Sequence, residues 1–386
     1  MHRITLNRFT RYSALAVAIA ASISSAQADE ASFEVYGFAQ ADYVQDFKRV
    51  NPAWDDTLRP SKIPTTEGTY GSDGQAVISA RQSRLGVQAN LPVEGQNLYT
   101  KFEFDMFGVG ADEGQTTIRL RHAYGEYGNW LAGQTNTLFM DADLFPNTID
   151  YWGPSGMVFL RNPQIRWTPL KGDTSFAMAI ENPSNDVSSS NVTLQGDSKL
   201  PDFTAQYRMN QGWGHVQVAG ILRSLAYEVV STPGNEPADS VVGWGIDLSS
   251  NFKFGDDTLR VGVVHGNGIG NYMNDGGNDL ASDGVSVDAL SLTGITAYYD
   301  HAWDAKWTSA IGYSTTMVNN SDLQPGDAFN RGEYASVNLL NAVNSKMLVG
   351  GEFLYGKRTD NNGADGNDVR VQFTMKYSFS SKDFGK

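Results

Sequence analysis

Apolar and polar residues alternate along most of this chain with a period of two. In SRLGVQANL (83–91), Leu85, Val87 and Ala89 share one face while Arg84 and Gln88 take the other, because successive side chains of a strand point to opposite faces. LYTKFEFDMFG (98–108) sets Leu98, Phe102, Phe104 and Met106 against Lys101, Glu103 and Asp105. TTIRLRHAYGEYG (116–128) sets Ile118 and Leu120 against Arg119 and Arg121, and DVRVQFTMKYSF (368–379) sets Val369, Val371 and Phe373 against Arg370, Gln372 and Thr374. The pattern recurs at 33–47, 163–168, 174–181, 202–209, 213–223, 241–254, 258–265, 286–299, 305–317, 333–343 and 346–357. No helical period of 3.6 competes with it, so the chain reads as all-β.

Strands this long and this numerous exceed a single sandwich of about 100 residues, and no Pro- or Ser-rich hinge divides the chain into several. One closed sheet is the economical solution. Strands of about 10 residues, apolar on one face and polar on the other, are the signature of a transmembrane antiparallel β-barrel, and the length accommodates about 16 of them. The apolar faces then meet lipid, and the polar faces meet a wet lumen. A guanidinium on the lipid face at mid-depth costs roughly 2–4 kcal/mol, which assigns Arg84, Lys101, Arg119, Arg121, Arg166, Arg208 and Arg370 to the lumen wall. Arg81 has the opposite parity to Arg84 and requires a bulge, a strand end or a subunit contact. Aromatic residues at strand ends, including Phe33, Tyr99, Phe107, Tyr124, Trp130 and Tyr377, suit interfacial girdles.

Charge and leader narrow the setting. Residues 1–28 carry Arg3, Arg8 and Arg11, an apolar run from Ala14 to Ala21, and Ala26-Gln27-Ala28, the form of a cleaved secretory signal. The mature part, 29–386, is then a single barrel domain of 358 residues. Losing three arginines and no acid takes the formal net charge from −14 to −17, which argues against nucleic acid as a partner. No later apolar run approaches the roughly 20 residues of a helical span, and the absence of cysteine excludes disulfides and thiolate chemistry. The acids crowd into the Gly- and Asn-rich stretches 271–288 and 359–369, which read as solvated loops; they lack EF-hand spacing.

The stretches VYGFAQADYVQDF (35–47), ISARQSRLGVQANLP (78–92), LYTKFEFDMFG (98–108), IRLRHAYGEYGNWLAGQTNTLF (118–139) and YWGPSGMVFLRNPQIRW (151–167) resemble the Gram-negative trimeric porins, in particular the DcaP-like porin family, named for dicarboxylic-acid uptake. The resemblance implies a homotrimer of 16-stranded barrels in the outer membrane, in contact with lipid and lipopolysaccharide. Small anions, above all dicarboxylates and aromatic carboxylates, are the solutes it implies, and no cofactor. It also implies that residues 136–162, which lack alternation, fold inward as a constriction loop. Asp141, Asp143 and Asp150 on that loop can face a basic wall, with Arg161 at its far end, and the opposed charges orient dipolar solutes.

Two rivals frame this reading. A barrel enzyme needs convergent chemistry, but His122, His215, His265 and His301 fall on different strands with no G-x-S-x-G, no H-E-x-x-H and no metal-ligand cluster; His122 and His301 suit strand ends. Glu103 and Asp105 on one strand read as solvated lumen acids. A plugged structural barrel needs nearer eight strands. A general diffusion pore without solute preference is the alternative within the porin class.

Overall fold

The computed structural model describes residues 31–230 and 240–384; the expected signal at 1–28 lies outside the described residues. The alternating segments form a closed barrel of 16 antiparallel strands. These are β1 (Ser32–Asp46), β2 in two pieces (Gln75–Ser79 and Arg84–Val93), β3 (Gln96–Phe107), β4 (Thr116–Tyr127), β5 (Trp130–Asn136), β6 (Arg161–Leu170), β7 (Thr174–Glu181) and β8 (Asp202–Gln211). They continue as β9 (Gly214–Val229), β10 (Ser240–Phe254), β11 (Asp257–Asn267), β12 (Ser291–Ala302), β13 (Trp307–Asn319), β14 (Phe329–Asn344), β15 (Met347–Asp360) and β16 (Asp365–Ser380). Each strand pairs with the next, and β16 returns to β1 in a register running from Tyr36↔Ser380 to Asp46↔Arg370. Closure leaves no unpaired edge in the membrane, where an unsatisfied backbone group costs several kcal/mol.

The faces sort as a barrel in lipid requires. Ile118 is 68% exposed and Leu120 38%, while Arg121 between the two walls' polar residues is 7% exposed. Large apolar side chains cover the outside on nearly every strand, among them Leu85, Phe102, Ile165, Leu248, Ile311 and Phe373. One rim is built from short turns. One of them, Glu94-Gly95, has positive φ at both residues, the geometry that matches the twist of a two-residue hairpin. The other rim carries long loops, of which three fill the interior: a first loop (47–74), a constriction loop (137–160) and an acidic loop (268–290). Phe139, Met140 and Val158 of the constriction loop, Ile269, Tyr272 and Met273 of the acidic loop, and Ala219, Ile221 and Val264 of the wall make one buried apolar cluster.

Several expectations are corrected. The segment 286–299 is two elements: Val287–Ala289 joins Leu280–Ser282 and Val187–Ser188 in a small sheet among the loops, and the barrel strand begins at Ser291. Arg81 faces neither lipid nor a neighbour. It stands where β2 is interrupted and turns inward, donating to Asp56 at 2.9 Å and to the Gly108 carbonyl at 3.0 Å, with its guanidinium 4.0 Å over the Phe107 ring. Phe107 is fully buried and stacks on Tyr151 at 4.0 Å inside the barrel, and Tyr99 hydrogen-bonds Gln88 on the lumen side, so neither is a girdle residue. His122 is mid-strand and buried against Thr135. A register shift between β3 and β4, where Glu103 faces His122 and Phe104 faces Leu120, makes Arg121 the extra residue of a bulge. A bulge re-aims side chains, which is how adjacent residues Arg121 and His122 both turn inward.

Beyond Phe379, Ser381–Asp383 form a single 3-10 turn closed by a capping box on Ser380. Lys382 pairs with Glu34 at 2.8 Å and Lys346 with Asp383 at 2.6 Å, so the polar extension ties the ends of β1 and β16 to the β14–β15 turn.

Candidate pore constriction

The constriction loop crosses the lumen on a series of anchors. At its start Glu181 accepts from the Thr137 hydroxyl (2.9 Å), the Leu138 N–H (3.1 Å) and the Thr204 hydroxyl (2.6 Å). Asp141 then reaches the wall: it accepts from Ser249 Oγ at 2.8 Å, lies 2.7 Å from His215 Nε2, and pairs with Arg208 at 3.3 Å. Asp143 also pairs with Arg208, and its carbonyl accepts from Asn251 and Arg260. Asp141, Asp143 and His215 bring potential metal-ligand atoms within 4.8 Å of one another, but the Arg208 guanidinium already supplies positive charge to both carboxylates.

Further along, the Ile149 N–H donates to Glu352 at 2.7 Å, and Asp150 accepts from Thr57, the Leu58 N–H, the Gly153 N–H and Tyr334. The Gly156 N–H donates to Ser314. A Cβ at Gly156 would lie 2.2 Å from the Thr315 carbonyl oxygen, so the loop backbone lies directly on the wall backbone there. Asp141 and Asp150 are thus buried anchors of the loop, and Asp143 is the exposed acid beside them.

Between this loop and the wall of β1, β2, β4, β6 and β16 lies a cavity of about 1160 Å³. Arg84, Arg119, Arg121, Arg161 and Lys376 line one side. Asp105 holds Arg119 through two hydrogen bonds of 2.7 and 3.1 Å and also accepts from Arg121 at 2.8 Å. Glu103 holds Arg121 at 2.8 Å, Lys101 at 3.3 Å and Arg84 at 3.5 Å, and accepts from the Tyr36 hydroxyl at 2.8 Å. Tyr151 of the loop donates to Asp105 at 2.6 Å and accepts from Arg121 at 3.0 Å, joining loop to wall. Arg161 lies in the field of Arg121, Arg119 and Arg84, and Lys376 in that of Arg84. Neither Arg161 nor Lys376 has a carboxylate partner among the described residues; each rests against one ring, Phe159 at 4.8 Å and Phe38 at 5.0 Å. Six cations therefore surround two carboxylates.

Of the eight basic residues expected at the lumen, the structure gathers Arg84, Lys101, Arg119, Arg121 and Arg161 here. Three lie elsewhere. Arg370 has no exposed surface: it is sealed against Asp46 by contacts of 2.6 and 2.9 Å and donates to the Asp55 carbonyl, so it is a wall clamp and not a pore residue. Arg208 is the partner of the constriction-loop acids. Arg166 binds Gln164 Oε1 and the Asn136 carbonyl where the loop departs. Lys376, Arg59 and Lys62 also line the cavity and were not singled out from sequence. Lys376 shares the inward phase of Arg370, a usable signal; Arg59 and Lys62 sit on an aperiodic loop, which offers none. The four described histidines stand apart, each on its own partner: Thr135, Asp141, Thr293 and Asp257.

A closed 16-stranded barrel narrowed by an inward loop is the architecture of an outer-membrane porin. The family model of the DcaP outer membrane protein matches residues 12–379, and the chain belongs to that family. Among solved structures it is similar to the outer membrane channel DcaP of Acinetobacter baumannii, with a TM-score of 0.79 and 24% identity over 90% of this chain and 97% of that one. It is also similar to the anion-selective porin of Comamonas acidovorans, with a TM-score of 0.60 and 10% identity over 91% and 100%. The trimer form of OmpT of Vibrio cholerae gives 0.57 and 13% over 91% and 100%. No curated protein matches the chain in sequence.

Proposed function

We propose that this outer-membrane channel passes small anions by preference, with dicarboxylic and aromatic carboxylic acids as the best-fitting class. The observation that carries the reading is the charge imbalance in the constriction: Arg161 and Lys376 face the cavity with no carboxylate partner among the described residues, beside four cations that share two acids. Conduction needs attraction strong enough to draw an ion from water and weak enough to release it, and several partly neutralised cations supply that better than one isolated charge. On the loop side of the same cavity Asp150 is enclosed by its hydrogen bonds and Asp275 is paired with Arg59, so neither offsets the cations of the wall. Two guanidiniums at one wall can each engage one carboxylate of a diacid through paired N–H donors. Aromatic side chains, among them Trp54, Tyr151 and Trp152, line the remaining surface and suit a ring-bearing solute.

The working assembly in this reading is a homotrimer set in outer-membrane lipid and lipopolysaccharide. The test is reversal potential in a planar bilayer under a potassium chloride gradient. The wild type is expected to show anion preference, and the Arg161→Ala, Lys376→Ala double variant a potential shifted toward zero. A wild-type potential at zero makes the protein a general diffusion pore.

A further inference from the structure

One carboxylate in the cavity is bound as a ligand would be bound. Asp275, on the acidic loop, has a side chain only 1% exposed. Its Oδ1 accepts from Arg59 Nη2 at 3.0 Å and Nε at 3.3 Å, and also from the Ser61 hydroxyl; its Oδ2 accepts from the Ser61 N–H at 2.7 Å. All these donors come from the first loop. They are set in place by a short 3-10 turn, Pro60–Lys62, for which Arg59 is the N-cap. Arg59 itself rests against two indoles that meet edge to face, 4.3 Å from the Trp54 ring centre and 4.0 Å from that of Trp152. A guanidinium fixed by stacking and flanked by a backbone N–H and a hydroxyl is a pre-organised carboxylate cradle. The other charged groups around it are Lys62, Glu113, Arg358 and Asp360. Arg358 donates to the Ser61 carbonyl and secures the turn from behind.

The occupant belongs to a different segment. Asp275 arrives on the acidic loop, whose neighbouring Asn274 is tied to the constriction loop through the Trp152 and Pro154 carbonyls. The contact therefore joins three inward loops across the loop side of the cavity, and Arg59, Ser61 and Asp275 all line it.

We propose that Arg59 and Ser61 form a carboxylate-binding site which Asp275 occupies as an intramolecular stand-in, so that the pore is latched by its own loop and a solute carboxylate releases the latch by exchange for Asp275. This rests on the anion-pore reading for the identity of the competing solute. It adds a second site, on the loop side, distinct from the cations of the wall.

The experiment compares wild type, Asp275→Ala, Asp275→Asn and Arg59→Gln in planar bilayers, with succinate as the blocking probe and folding checked by heat-modifiability. Removing the stand-in is expected to raise single-channel conductance by about twofold as the loop disengages. Vacating the cradle is expected to lower the half-blocking succinate concentration about tenfold, the size of a charge-assisted hydrogen bond. Arg59→Gln should raise conductance without the tighter block. A folded Asp275 variant with unchanged conductance, or with raised conductance and unchanged block, overturns the proposal. Failure of the anion-pore reading shows separately, as a wild-type reversal potential at zero, because that measurement contains no succinate.

Discussion

Arg370 keeps the inward phase of its strand and is sealed by Asp46, whereas Arg161 begins β6 out of phase with the inward pair Asn162 and Gln164 and still reaches the cavity. Phase decides the side of the wall; neighbours decide whether the charge is available. Arg370→Ala leaves Asp46 buried and unpaired, a loss of roughly 3–5 kcal/mol. The folded band should disappear at a lower temperature in a heat-modifiability series, with reversal potential unchanged in the surviving channels. A shift in selectivity without loss of stability would contradict the clamp role. Arg119 and Arg121 are a different case. Replacing both by Ala leaves Asp105 with no cation and Glu103 with only Arg84 and Lys101, so the double variant is expected to lose anion preference and stability together, and only the Arg161 and Lys376 variants read binding without that complication.

At the scale of elements, β4 and the constriction loop carry the argument. Leu120→Arg places a guanidinium on the lipid face of β4 at a cost of roughly 2–4 kcal/mol, whereas Lys376→Leu changes the lumen alone. Assembly in membranes should fail or weaken for the first and proceed for the second; equal yields would mean the faces are assigned wrongly. The constriction loop depends on Asp141, which binds Arg208, His215 and Ser249 at once. Asp141→Ala releases that end, and open-channel current noise should increase while the barrel remains folded. Quiet, unchanged openings would show that the other anchors, Glu181, Glu352 and Asp150 with the apolar contacts of Phe139 and Met140, hold the loop without Asp141.

For the whole molecule, the outward face of β1 carries small residues at mid-strand, with Ala39 and Ala41 exposed in succession, next to exposed Ile78 and Leu85 of β2. Small residues allow close approach between packed elements, so this seam is the proposed contact between protomers of a cyclic trimer. Mass measurement in mild detergent should give three times the protomer mass, and Ala39→Trp together with Ala41→Trp should reduce it to one. A wild type that is monomeric in the same detergent removes the trimer. Arg81, turned inward onto Asp56, takes no part in this surface.

The sequence by itself determined the barrel. Period-two alternation is a local property of the strand, and the cost of polar groups in lipid forces the same phase on successive strands, so fold class and the lumen side of Arg119 and Arg121 were legible from residue order, while length set the strand number only to about 16. It also marked 136–162 as the aperiodic stretch, close to the loop that spans 137–160. Only the tertiary structure decided which charges are spent. Asp46 lies 324 positions from Arg370, Asp275 lies 216 from Arg59, and Asp141 lies 67 from Arg208; such pairings depend on barrel closure and on how aperiodic loops pack within it. The same holds for the bulge that turns Arg121 and His122 inward together, because a bulge is a relation between two strands. Alternation is written in neighbours along the chain, while the neutralisation of a charge is settled by neighbours in space.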